Sequence, residues 1–297
     1  LPRHVTTLAG YIAAAKAAMK DEAQNGYRSP QSAEIEAWRQ AVADLAAGRP
    51  QAAERGLRAE LPVYRVAEVH TSEGRPYLAL EPRDPANHPG WGRLLARPGA
   101  GRPLILEVPH PRLDLSTAAE GAKLLKQTDA RFLLLAGAHR CANSSPSRCD
   151  GETTVCEGAM APYPVSDMAH NTGTPFDIAH RTLQEAHPGR IAVSLHGNGR
   201  TSTCGDLFLS AGVAGKSTAL VRAVANAVPD STGLEVATEG PGATCPLAGT
   251  TNVQGRWSNG AAKPCTREAG QPSGRFLHVE QSLGYGRIMQ ACWRRPC

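Results

Sequence analysis

An α/β fold, with helices on both faces of a mixed, mainly parallel sheet, is what this 297-residue sequence predicts. Three observations carry the prediction. From residue 104 onward, apolar runs of strand length alternate with stretches of helix length, the pattern of strands joined by helical crossovers. The runs Leu104–Val108, Ile191–Leu195 and Arg275–Val279 have the aliphatic and β-branched character of buried strands. Each also leads into a side chain with catalytic chemistry, namely His110, His196 and Glu280. Ligands of open α/β sheets bind outside the carboxyl ends of the strands, so these three side chains are expected along one edge.

Residues 1–103 read as an N-terminal annex of two helices and a β-hairpin. The first helix covers about 7–23 and stops near Gly26. The second follows Ser29-Pro30, carries Ile35, Trp38, Val42 and Leu45 on one face, and meets stop signals at Gly48 and Pro50. The hairpin pairs 63–69 with 77–80 about a turn at Ser72-Glu73-Gly74. Proline and glycine then cluster over 82–103, around a short strand at 93–96, and mark a boundary with a catalytic domain of residues 104–297. That domain reads as strands at 104–108, 132–136, 191–195, 207–209, 234–237 and 275–280, with helices at about 117–127, 176–187 and 217–228. Two long loops, 140–175 and 239–274, are rich in cysteine, proline and glycine, and loops of such length in a compact domain are usually functional.

Composition excludes several classes. No run reaches the roughly 18–20 apolar residues of a membrane span. A net charge of +5 is spread along the chain apart from Arg294-Arg295, and aromatic residues make up 5 %, so neither a nucleic-acid footprint nor a stacking platform is present. The eight cysteines (141, 149, 156, 204, 245, 265, 292 and 297) are even in number, and no pair has the C-x-x-C spacing of a thiolate zinc or redox site. They read as four disulfides stapling loops in an oxidising compartment, with pairing left open. A secreted or periplasmic location, with a signal peptide removed before Leu1, is the matching expectation. Gly212-Val213-Ala214-Gly215-Lys216-Ser217-Thr218 resembles a phosphate loop, but Ser210 stands where the first glycine is required. No Gly-x-Ser-x-Gly elbow is present.

The polar residues at the strand ends suit a catalytic zinc, which takes three protein ligands and leaves one position open. His110 and Asp114 share one strand-to-helix turn, and His196 arrives from another strand. Glu120 is the alternative carboxylate, although Thr117-x-x-Glu120 also reads as a capping box for the next helix. Glu280 fits a general base that takes a proton from water and passes it to a leaving amine. It would otherwise be an ordinary strand-end glutamate paired with Arg275 or Arg287. Arg140, Asn143, His170, Asn252 and Arg256, all in the long loops, are candidate substrate contacts; an arginine there can clamp a carboxylate bidentately.

Taken together and in order, these motifs resemble the zinc carboxypeptidase superfamily over about residues 104–282, and are most similar to its phage poly-γ-glutamate hydrolase branch. The resemblance rests on Pro109-His110, on Asp114-Leu115-Ser116-Thr117 where that branch has a glutamate, and on His170 to Asp177. It rests also on Ser194-Leu195-His196-Gly197, Asn252 to Arg256, and Glu280. It implies a zinc carboxypeptidase-like sheet, one Zn²⁺, a water nucleophile, Glu280 as base, and Arg256 or Arg140 reading a carboxylate. The expected function is therefore an exported zinc-dependent hydrolase of an amide bond, with a peptide or poly-glutamyl type substrate. The alternatives are an N-acyl amino acid amidohydrolase on the same scaffold, and an inactive disulfide-rich binding protein.

Overall fold

The computed structural model describes residues 1–22, 25–72, 74, 76–198, 203–228 and 233–282. Glu73 of the expected turn, Arg287, Arg294-Arg295, Cys292 and Cys297 lie outside these residues. In chain order the elements are β1 (Arg3–Val5), α1 (Leu8–Ala17), α2 (Ser32–Ala46), α3 (Pro50–Glu60), β2 (Tyr64–His70), β3 (Tyr77–Pro82) and β4 (Arg93–Ala96). There follow β5 (Arg102–Val108), α4 (Thr117–Gln127), β6 (Ala130–Leu135), the short pair β7 (Glu152–Thr153) and β8 (Ala161–Pro162), and α5 (Pro175–Glu185). The last are β9 (Ile191–Asn198), β10 (Leu207–Ser210), α6 (Ala219–Asn226), β11 (Val236–Thr238), α7 (Val253–Ser258) and β12 (Phe276–Ser282).

Ten strands form one mixed sheet in the order β1-β2-β3-β4-β6-β5-β9-β12-β10-β11. Its centre, β6-β5-β9-β12, is parallel throughout. β4 and β10 join that block antiparallel on its two sides. β12, the last strand among the described residues, sits between β9 and β10, in the interior of the sheet.

Alternation along the central strands builds two apolar layers. Leu106 and Val108 of β5, Val193 and Leu195 of β9, and Leu277 and Val279 of β12 pack with α1, α4 and α6. Ile105, Ala192 and Phe276, of the opposite parity, pack with α2, α3 and α5. Helices therefore cover both faces, as the sequence pattern predicts, and each fully buried Leu, Val or Ile stabilises by about 1.5–3 kcal/mol. On the second face the parity continues toward the carboxyl ends as Glu107, then Ser194 and His196, then His278 and Glu280. There the apolar layer gives way to a row of buried polar groups.

The first hundred residues differ from expectation. Their strands extend the same sheet through the β4–β6 pairing, and the expected boundary at 103/104 falls inside β5. The helix expected over 7–23 ends at Ala17. Pro50, read as a stop signal, instead opens a third helix at its first turn, where the missing N–H leaves nothing unpaired. Trp38, Tyr64 and Trp91 form a buried edge-and-stack cluster, with the Trp38 indole donating to Pro175 O at 2.8 Å. No helix among the described residues is long and apolar enough to cross a membrane.

Three of the expected disulfides are present: Cys141–Cys156, Cys149–Cys265 and Cys204–Cys245. The second joins the two long loops to each other. The loops also carry short elements that their composition does not predict: β7 and β8 in the first, α7 in the second.

Candidate metal and hydrolytic site

The polar row opens into a cavity of about 490 Å³ at the carboxyl edge of β5, β9 and β12. Its floor is His110, Asp114, His196, His278 and Glu280; the two long loops supply its walls. His110 follows β5, and the chain then closes a turn in which the Asp114 N–H donates to His110 O at 2.8 Å. That turn folds Asp114 back toward the His110 ring. His196 and Glu280 are direct register partners across β9 and β12, so their side chains emerge side by side.

The Asp114 Oδ2 atom is buried and has no hydrogen-bond partner. The Nδ1 atoms of His110 and His196 each lie 3.6 Å from it. Zinc bonds of about 2.0–2.2 Å to N and O ligands, arranged as a tetrahedron, give ligand–ligand edges of about 3.3–3.6 Å. An orphaned buried carboxylate oxygen facing two imidazole nitrogens at that spacing fits a cation and is costly without one. His110, Asp114 and His196 are thus brought together as a group able to hold a metal ion.

The outer nitrogens of both imidazoles are engaged. His110 donates from Nε2 to Asp167 Oδ1 at 2.9 Å, and His196 Nε2 lies 3.0 Å from Ser194 Oγ. Such contacts orient metal-binding histidines and fix which nitrogen is free. Burial, with His278 and His110 nearby, holds His196 well below the usual histidine range, so its ring is neutral as a ligand must be. Asp167 also accepts from His170 Nδ1 at 3.0 Å and from the Arg140 guanidinium. Burial opposes its ionisation, but Arg140 and the two imidazoles outweigh that and hold it well below the usual carboxylate range. His110, Asp167 and His170 are also close enough to share an ion. Their contacts, however, are completed hydrogen bonds beside a guanidinium, so this cluster supports the first group.

Glu280 accepts from Asn198 Nδ2 at 3.2 Å and from His278 Nε2 at 3.1 Å. It has no contact with Arg275, which donates to Pro188 O and Ser258 O instead. His278 was not singled out from the sequence, although its spacing of two residues from Glu280 on one strand puts both on the same face. Gly249 of the second long loop passes directly over it. With φ of +69°, a Cβ there would meet the His278 ring at 2.8 Å, so only a bare backbone fits.

Other expected residues are placed differently. Glu120 stands on α4, against the opposite face of the sheet, and accepts from Gln281 Nε2 at 2.7 Å. It is not within reach of the two histidines as Asp114 is. Nor does the expected capping box form: Ser116 is the N-cap, and the Thr117 hydroxyl turns back to donate to Asp114 O at 2.7 Å. Buried in this way, the Glu120 carboxyl is pushed up to about 7. Arg140 and His170 line the cavity, with His170 stacked on Tyr163 at 3.8 Å. Arg256 is buried away from it, donating to Asp150 Oδ1 at 2.5 Å and Thr250 O at 2.6 Å. Asn252 caps α7 by accepting from the Gly255 N–H, and Asn143 donates to Tyr27 O. These three tie loops together rather than facing the site.

No protein-family model matches the chain, and no curated protein matches it either. Among solved structures it is similar to a zinc-free apo form of YndL, at 13 % identity and a TM-score of 0.37, over 65 % of this chain and 73 % of that one. It is similar also to an N-formylglutamate amidohydrolase from Ralstonia eutropha JMP134, at 14 % identity and a TM-score of 0.37, over 68 % of this chain and 92 % of the other. Scores this low leave the site itself as the ground for a functional reading.

Proposed function

We propose that the chain is an exported, zinc-dependent hydrolase of an amide bond, with the metal held by His110 Nδ1, Asp114 Oδ2 and His196 Nδ1. The observation that carries this reading is the unpartnered Asp114 Oδ2 between two imidazole nitrogens whose far sides are already engaged. A bound zinc ion supplies Lewis acidity, polarising a carbonyl and acidifying water. Glu280, beside His196 across the strand pair, is the base that takes a proton from water as its oxygen adds to the carbonyl carbon. The same carboxyl then delivers that proton to the nitrogen as the C–N bond breaks, leaving a carboxylate and an amine. His278 and Asn198, both donating to Glu280, fix its orientation. Arg140 lines the cavity with its buried Nε–H unpartnered, and is the candidate to bind a terminal carboxylate of the substrate. Export is supported by the three disulfides, which persist in oxidising compartments.

Two substitutions test the assignment. His196→Ala is expected to lose both stoichiometric zinc and hydrolysis of a peptide or acyl-amino-acid panel. Glu280→Gln is expected to retain zinc, measured by elemental analysis, and lose turnover by at least about a hundredfold. Undiminished turnover in Glu280→Gln removes Glu280 as the base; full zinc content in His196→Ala removes the metal assignment.

A further inference from the structure

The walls of the cavity are unlike its floor. Leu113, Val155, Pro246 and Leu247 all line it. Among the described residues, seven large apolar side chains are exposed, and two of them, Leu113 (37 %) and Val155 (46 %), belong to this wall. Leu113, Val155 and Pro246 are each next in sequence to a fixed point. Leu113 precedes the candidate ligand Asp114, Val155 precedes Cys156 of the disulfide to Cys141, and Pro246-Leu247 follow Cys245 of the disulfide to Cys204. Leu247 rests in part against Phe208 and the Cys204–Cys245 disulfide, while Leu113, Val155 and Pro246 stay exposed. Together they keep apolar surface in contact with solvent at the mouth of a polar site, the kind of surface that a bound molecule covers.

Charge on the described lining residues agrees. Arg140 is the one lysine or arginine among them, and its charge is already met by Asp167. One paired guanidinium can serve a single terminal carboxylate.

We propose that Leu113, Val155, Pro246 and Leu247 form an apolar subsite, and that the amide substrate carries an aliphatic or aromatic group beside the scissile bond. This rests on the metal-hydrolase reading above and narrows its substrate class.

The test uses the zinc-loaded full chain and three hydroxamates that differ only in their tails, titrated by calorimetry. They are acetohydroxamate, 4-phenylbutanohydroxamate and succinic monohydroxamate. The phenyl tail is expected to bind at least about tenfold more tightly than acetohydroxamate, since burying an aromatic group against this wall is worth that much. The acidic tail, whose single carboxylate has only Arg140 to meet among the described lining residues, is expected to gain less than the phenyl tail. Val155→Asp, and separately Leu113→Gln, should erase the advantage of the phenyl tail; acetohydroxamate binding in each variant reports that the metal site is intact. Acetohydroxamate binding with no preference among tails, or with the acidic tail bound most tightly, overturns the subsite and leaves the metal reading standing. A protein that takes up no zinc, or holds zinc but binds no hydroxamate, overturns the metal reading and the subsite with it.

Discussion

One carboxylate, Asp167, organises much of the site without facing the metal position. It accepts from His110, His170 and Arg140, and so sets the orientation of one candidate ligand and of the two polar groups on the cavity wall. Outer-shell carboxylates of this kind typically contribute 10–100-fold to metal affinity. Asp167→Asn is therefore expected to weaken zinc binding by about 10–100-fold in a competition titration against a chelator, and unchanged affinity would remove it from the support of His110. At this scale the meeting of His110, His196 and Glu280 at one sheet edge was legible from sequence because each stands at the end of an apolar run, and a strand fixes where its last side chains point; Asp114 joins them through the turn that follows β5. Asp167 carries no such mark, since it lies in a loop and two of its three partners, His110 and Arg140, come from other parts of the chain. Arg256 and Asn252 were misread for the converse reason. A loop polar residue can serve a ligand or close the loop, and only the fold shows that Asp150 and the Gly255 N–H were waiting for them.

Among the elements, α4 and β12 meet through a contact with its own pH signature. The Glu120 carboxyl, raised from 4.5 to about 7 by burial, keeps its proton in the folded protein after the unfolded chain has released it. Between pH 4.5 and about 7 the folded state thus binds more protons than the unfolded one, and stability falls as pH rises. The loss levels off above about pH 7 at about 3 kcal/mol, taking 1.36 kcal/mol per unit. Glu120→Gln, which keeps an oxygen for Gln281 Nε2, should be more stable than the parent in urea unfolding at pH 8, with the difference vanishing near pH 4.5. A difference independent of pH would show that Glu120 does not titrate in this window. The sequence made α4 itself plain over residues 117–127, and missed how it starts. Ser116, Thr117 and Asp114 compete for the same few backbone groups, and the turn that places Asp114 takes the Thr117 hydroxyl for itself. Third-helix formation at Pro50 was missed in the same way, because proline ends a helix from inside and begins one from its first turn.

For the molecule as a whole, the division of labour is between a sheet that sets the floor and covalently tied loops that set the walls. Cys149–Cys265 closes a loop of 116 residues and ties the two long loops to each other. Reduction is therefore expected to abolish hydrolysis while far-UV circular dichroism still shows the sheet and helices. Full activity under complete reduction would mean that the walls hold their shape without the crosslinks. The sequence showed the sheet's alternation of elements and the need for disulfides, but not that residues 1–96 supply its far side. Short strands such as β4 declare no partner until the sheet exists. The position of β12 carries a further consequence for the nascent chain. Until residues 276–282 emerge, β9 and β10 have no common neighbour, and a slot lies open between two bare backbone edges. Glu280 and His278 arrive on the same segment that fills the slot. A polypeptide interrupted before that point thus lacks the proposed base and presents two edges open to any stray extended peptide.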